Sequence, residues 1–166
     1  MGIRKIVTLG DDALRKRCKP QEKFDRKLET LLKDMADTMY KAEGVGLAAP
    51  QVGILRRIAV VDVTEDHSGL LEMINPEIIE RDGSQTGREG CLSVPGRQGV
   101  VTRPMNVKVR FQDRKGNWYE VKTAGFEARA ICHEVDHLDG QLYIDVMDRE
   151  LTEEEIKGHI PEDDEQ

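Results

Sequence analysis

Aromatic side chains make up only 4% of this 166-residue chain, against a hydrophobic fraction of 38%. The core is therefore expected to be aliphatic, and the length suits one domain. There are three cysteines, Cys18, Cys91 and Cys132. An odd, small number argues against a disulfide framework and for thiols with individual roles. No apolar run approaches the length of a membrane span. The opening Met1-Gly2-Ile3-Arg4-Lys5 carries no signal-peptide core, and Ile6 stands where myristoylation calls for Ser or Thr. The expectation is a cytoplasmic protein without membrane attachment. No internal repeat is present. A basic field is also missing: the net charge is −7, and residues 152–166 hold seven acids against one lysine. The body is close to neutral and the tail acidic, which excludes direct nucleic-acid binding.

Phe24 to Glu43 reads as a helix, since Leu28, Leu31, Leu32, Met35 and Met39 follow the 3.6-residue period. Asp25 suits its N-cap and Gly44 its stop. Gly44 to Gly53 is too rich in glycine, and too broken by Pro50, for a regular element. Ile58 to Val63 reads as a buried strand, and Leu70 to Ile74 and Glu77 to Arg81 as strands either side of Asn75-Pro76. Val107 to Phe111 and Trp118 to Val121 alternate around the Lys115-Gly116-Asn117 turn, a hairpin. A final helix runs from Gly125 to Leu138 and stops at Gly140. The fold class is α+β: short, mostly antiparallel strands packed around a C-terminal helix, with one long N-terminal helix. Residues 1–151 form the domain, and residues 152–166 a short acidic tail. The tail begins with a helical turn capped by Thr152 and Glu155 and is expected to be disordered from Pro161.

The chemistry concentrates in His133-Glu134-Val135-Asp136-His137. On a helix, residues four apart share a face, so the two imidazoles are placed to bind one metal ion. Glu134 stands beside that face as a candidate general base. A catalytic metal needs a third protein ligand, and none follows at a usual spacing. Cys132 points about 100° away on the same helix. Cys18 lies in a basic loop. Cys91, in Glu89-Gly90-Cys91-Leu92-Ser93-Val94-Pro95, is the remaining soft donor.

Three segments together resemble the peptide deformylase family: Gly44-Val45-Gly46-Leu47-Ala48-Ala49-Pro50-Gln51, Glu89-Gly90-Cys91-Leu92-Ser93, and His133 to Gly140. They match its G-x-G-x-A-A-x-Q, E-G-C-x-S and H-E-x-D-H-L-x-G motifs in order and approximate spacing, over residues 1–150. The resemblance implies metal-dependent removal of the N-terminal formyl group from newly made polypeptides that begin with formyl-methionine. It implies a metal held by Cys91, His133 and His137, with water in the fourth position and Glu134 moving its proton. It also implies an oxyanion received by the Gln51 side-chain amide and the Leu92 backbone N–H. Such donors are worth about 3–4 kcal/mol each in other hydrolases. The family's metal is Fe²⁺, with Zn²⁺, Ni²⁺ or Co²⁺ able to substitute, although a Cys/His₂ set alone suggests zinc.

Substrate is expected to pair as an extended strand near Val45, Gly46, Gly90 and the Gly96–Gly99 segment. Gly44 and Gly46 are expected to allow positive φ and close approach. Phe126 and Ala130 share the helix face of the two histidines and, with Val45, are candidates for the methionine pocket. Arg97 and Gln98 compete to contact the substrate backbone. Arg103 is expected to pair with Asp136, and Glu89 to be a support near Cys91. Transient ribosome contact, if made, would not use the acidic tail, which RNA phosphate repels. The rival readings are a zinc endopeptidase, which shares H-E-x-x-H, and a non-catalytic formyl-peptide binder.

Overall fold

The computed structural model describes residues 2–158. The periodic Leu and Met stripe becomes the buried face of helix α1, Arg26–Lys41. Its first turn is closed by the Asp25 carboxylate, which accepts from Leu28 N at 3.1 Å and satisfies an otherwise orphaned donor. At the other end Glu43, not Gly44, takes the left-handed position with φ of 59°. Gly44 N then turns back to Met39 O at 3.0 Å.

Alternating sequence builds one five-stranded antiparallel sheet. It contains β1 (Gly46–Ala48), β2 (Ile58–Val61), β3 (Leu71–Asp82), β6 (Asn106–Gln112) and β7 (Trp118–Ala124), in the order β1-β2-β3-β6-β7. A smaller antiparallel sheet holds β4 (Gln85–Cys91), β5 (Val94–Arg103) and β8 (Arg149–Glu150), in the order β4-β5-β8. Helix α2, Gly125–Leu138, follows β7, and the short α3 (Tyr143–Val146) and α4 (Glu153–Lys157) close the described chain.

The β2 run Ile58-Ala59-Val60-Val61 is fully buried because both its faces are covered. Ile58 and Val60 join Leu32, Met35 and Met39 of α1 in one cluster. Ala59 and Val61 join Ile131, Val135 and Leu138 of α2 in another. A third cluster, Leu14, Val94, Val101, Leu142 and Tyr143, lies under the smaller sheet. Each fully buried Leu, Ile or Met here contributes about 1.5–3 kcal/mol relative to exposure. Helix α2 is thereby fixed against β1 and β2 and carries ten buried residues.

Three local expectations need correction. The two strands anticipated around Asn75-Pro76 are one strand, β3, with a register shift between Ile74 and Glu77. Asn75 absorbs the irregularity at φ of 53°. Its amide donates to Gln21 O at 2.9 Å and to Gln112 Oε1 at 2.8 Å, so side-chain bonds hold what the ladder loses. The glycine-rich segment is not irregular throughout, since it supplies β1 and a 3₁₀ turn over Ala49–Val52. Gly44 and Gly46 are not among the glycines with positive φ; only their closeness to neighbours explains them. The capped helical turn after Thr152 is α4, with Glu155 N donating to Thr152 Oγ1 at 3.1 Å. The disorder expected from Pro161 falls outside the described residues.

Candidate metal centre and active site

Helix α2 passes between the two sheets, so its histidine face is enclosed rather than wet. His133 is 9% exposed and His137 fully buried. Cys132 is turned away into a cluster with Val107 and Ala128. Cys91 ends β4 where the β4–β5 ladder slips between Glu89 and Cys91, and that irregularity re-aims its side chain. Its Sγ lies 3.4 Å from His137 Nε2. One donor atom each from Cys91, His133 and His137 falls within 4.8 Å of the others. Strand and helix, 42 residues apart in sequence, thus converge on one point.

The surroundings push the two imidazoles in opposite directions. Burial works against a charged His133, yet the Cys91 thiol and the Glu89 carboxylate outweigh it and hold the ring well above its ordinary value. Burial, then the positive charge of His133, holds His137 well below its own. A soft sulfur donor and two imidazoles, converging on one point, fit a divalent transition metal. His133 Nδ1 is 2.9 Å from Glu89 Oε1, which leaves Nε2 for the centre. Glu89, expected from sequence as a support near Cys91, thus supports the ring of His133. Arg103 donates to Glu89 through Nε and a terminal nitrogen, both at 2.9 Å, and its other terminal nitrogen donates to Asp136 Oδ2 at 2.7 Å.

Glu134 is 4% exposed, and its Oε1 has no hydrogen-bond partner. Burial pushes its carboxyl up to about 7, against the pull of the positive charge at His133. A Cβ on Gly46 would lie 2.4 Å from Glu134 Oε2, and one on Gly44 would lie 2.8 Å from Leu92 Cδ1. Gln51 is pinned by Ala48 N, which donates to Oε1 at 2.9 Å. Its amide nitrogen reaches Ser93 Oγ at 3.1 Å and Cys91 Sγ at 3.6 Å.

A cleft of about 400 Å³ opens above these groups. Val45, Gly46, Gln51, Gly90, Cys91, Leu92, Arg97, Phe126, Ala130, His133 and Glu134 all border it. Val45 and Phe126 are exposed, at 36% and 55%. The β1 edge and the Val94–Gln98 part of β5 form its two sides. Arg97 borders the cleft, but its guanidinium is engaged with Glu150 at 2.7 and 2.8 Å; Gln98 borders it too. Sequence reasoning missed Arg88 and Arg129, which also line it. For Arg129 a signal existed: a base one turn before His133, on the apolar face of a helix.

Three converging donors beside a buried carboxylate, in an open cleft, are the equipment of a metal-dependent hydrolase. Comparison with known proteins gives the family. The model of the polypeptide deformylases matches residues 3–153. The peptide deformylase of Caldanaerobacter subterraneus subsp. tengcongensis is 54% identical over 158 residues, covering 95% of this chain and 98% of that one. Crystal structures of the Legionella pneumophila and Thermotoga maritima peptide deformylases each align with a TM-score of 0.85. They are 46% and 43% identical, covering 87% and 89% of this chain and 86% and 99% of theirs. The chain belongs to the polypeptide deformylase family.

Proposed function

We propose that this enzyme removes the N-formyl group from the formyl-methionine of nascent polypeptides and releases formate. The observation that carries the reading is the Cys91–His133–His137 cluster, of which Cys91 and His133 line the same cleft as Glu134, in a chain of this family. A divalent cation held by those three residues would polarise the formyl carbonyl and acidify water there. We assign it as Fe²⁺, with Zn²⁺, Ni²⁺ or Co²⁺ able to substitute.

Glu134 takes the proton of the attacking water and returns it to the leaving amine. A carboxyl pushed up to about 7 by burial is matched to both duties near neutral pH. Gln51 Nε2 and Leu92 N donate to the oxyanion. The Gln51 amide is preset by Ala48 N and Ser93, so little reorientation is required. Substrate lies extended between the β1 edge at Val45-Gly46 and β5 near Gly90 and Arg97. The methionine side chain packs against Val45, Phe126 and Ala130. Backbone pairing accepts any sequence beyond the first residue, as maturation of many proteins requires. With Arg97 bound to Glu150, Gln98 is the freer of the two for the substrate main chain. Residues 1–151 form the catalytic domain, acting in the cytoplasm, with any ribosome contact made away from the acidic tail. No helix among the described residues is long and apolar enough to cross a membrane.

The test is anaerobically prepared protein with formyl-Met-Ala-Ser, assayed for formate and for internal cleavage. Formate with an intact peptide is expected. Internal fragments would favour an endopeptidase, and no turnover by metal-loaded protein a binder.

A further inference from the structure

Glu89 is the most heavily engaged side chain near the centre. Its Oε1 receives His133 Nδ1 at 2.9 Å and Arg103 at 2.9 Å. Its Oε2 receives Arg103 Nε at 2.9 Å and a terminal nitrogen of Arg129 at 2.7 Å. That same nitrogen of Arg129 also donates to Val101 O at 3.0 Å, and the other lies 3.5 Å from Gln85 O. Arg129 is 4% exposed. A cation so deeply buried demands compensation, and here it is met by one carboxylate and two strand carbonyls.

The positions of these residues give the arrangement its meaning. Glu89 stands on β4 two residues before Cys91, so one short strand carries both the thiol and the carboxylate. Arg129 stands on α2 one turn before His133, so one helix carries both imidazoles and the guanidinium. The Arg129–Glu89 bond therefore ties together the two elements that supply the candidate ligands, and Val101 O adds the neighbouring strand β5. Arg103, itself on β5, reaches α2 only at the outer Asp136, which is 26% exposed.

We propose that Arg129 is a positioning residue: acting through Glu89, it sets the spacing between Cys91 on β4 and His133 and His137 on α2. This rests on the metal site assigned above, but not on the reaction. The test uses the full chain loaded with Co²⁺, whose d–d and thiolate-to-cobalt bands report ligand geometry, and measures cobalt release to an excess of chelator. Arg129→Met is expected to shift both sets of bands and to release cobalt roughly tenfold faster or more. Arg129→Lys keeps the charge but not the fork, so its release rate should fall between the two. It carries the test alone if Arg129→Met does not fold. Adding Arg129→Met to Glu89→Gln should change nothing further, because both act on one link. Arg114→Met, which breaks a bidentate pair with Glu72 away from the cleft, should leave spectrum and release unchanged. Wild-type bands and release rates in both Arg129 variants, or additive effects in the double variant, would overturn the proposal. Wild-type protein that binds cobalt but releases no formate would overturn the functional reading alone.

Discussion

Glu134 and the three cysteines show how burial alone assigns chemistry to single side chains. Glu134 combines an unpartnered oxygen with a carboxyl pushed up to about 7 by desolvation. Replacing it by Gln keeps the shape and removes the proposed base, so kcat for formate release should drop by about 10²–10⁴-fold. The spectrum of the cobalt-loaded protein should stay that of the wild type. A Glu134→Gln enzyme with full turnover would remove the residue from the mechanism. Burial also pushes the Cys18 and Cys132 thiols up to about 11, leaving almost no thiolate at neutral pH. Cys91 is half-buried at the cleft wall. Brief alkylation of metal-free folded protein with iodoacetamide, read by peptide mass spectrometry, should label Cys91 first and spare the other two.

Glycines separate what the elements need for activity from what they need for stability. A methyl at Gly46 collides with Glu134 Oε2 at 2.4 Å, the free end of a flexible side chain. Gly46→Ala should therefore lower kcat by about 10²-fold or more by displacing the base, while the unfolding midpoint moves by only a few degrees. Gly140→Ala should do the reverse. Its φ is 76°, and the new Cβ would meet the backbone oxygen of Arg15 at 2.6 Å. Neither can yield cheaply, so about 1–3 kcal/mol of stability should be lost in denaturant titration. The same contrast explains what the sequence disclosed. Helices α1 and α2 and the β6–β7 hairpin were legible because one face of each is apolar at a regular period. So were the three donors, since H-E-x-x-H fixes two and few thiols remain. The continuity of β3 through Asn75-Pro76 was not legible, because Asn75 is held by Gln21 and Gln112, partners 54 and 37 residues away. Strand β1 hid in a glycine-rich run whose residues are chosen to let Glu134 and Leu92 approach. Arg129 stood on the apolar face one turn before His133, but that signal gained its meaning only with the acid it binds, 40 residues away.

Across the whole molecule, the candidate ligands join two sheets that share little direct pairing. Cys91 belongs to the smaller sheet, and the histidines to the helix packed on the larger one. A metal at their meeting point acts as a cross-link and should stabilise the fold by about 4 kcal/mol at a free concentration a thousandfold above Kd. Prolonged chelation is therefore expected to lower the thermal midpoint by several degrees, and cobalt to restore it. An unchanged midpoint would mean that the two halves hold together without it. The order of the ligands along the chain has a temporal consequence. Synthesis delivers Cys91 well before His133 and His137, and α2 is the last long element among the described residues. A chain still short of α2 has its thiol and most of its cleft wall but only one of three donors. It should neither capture metal nor act on its neighbours' N-termini, so catalytic competence arrives abruptly, once α2 has been made and has packed.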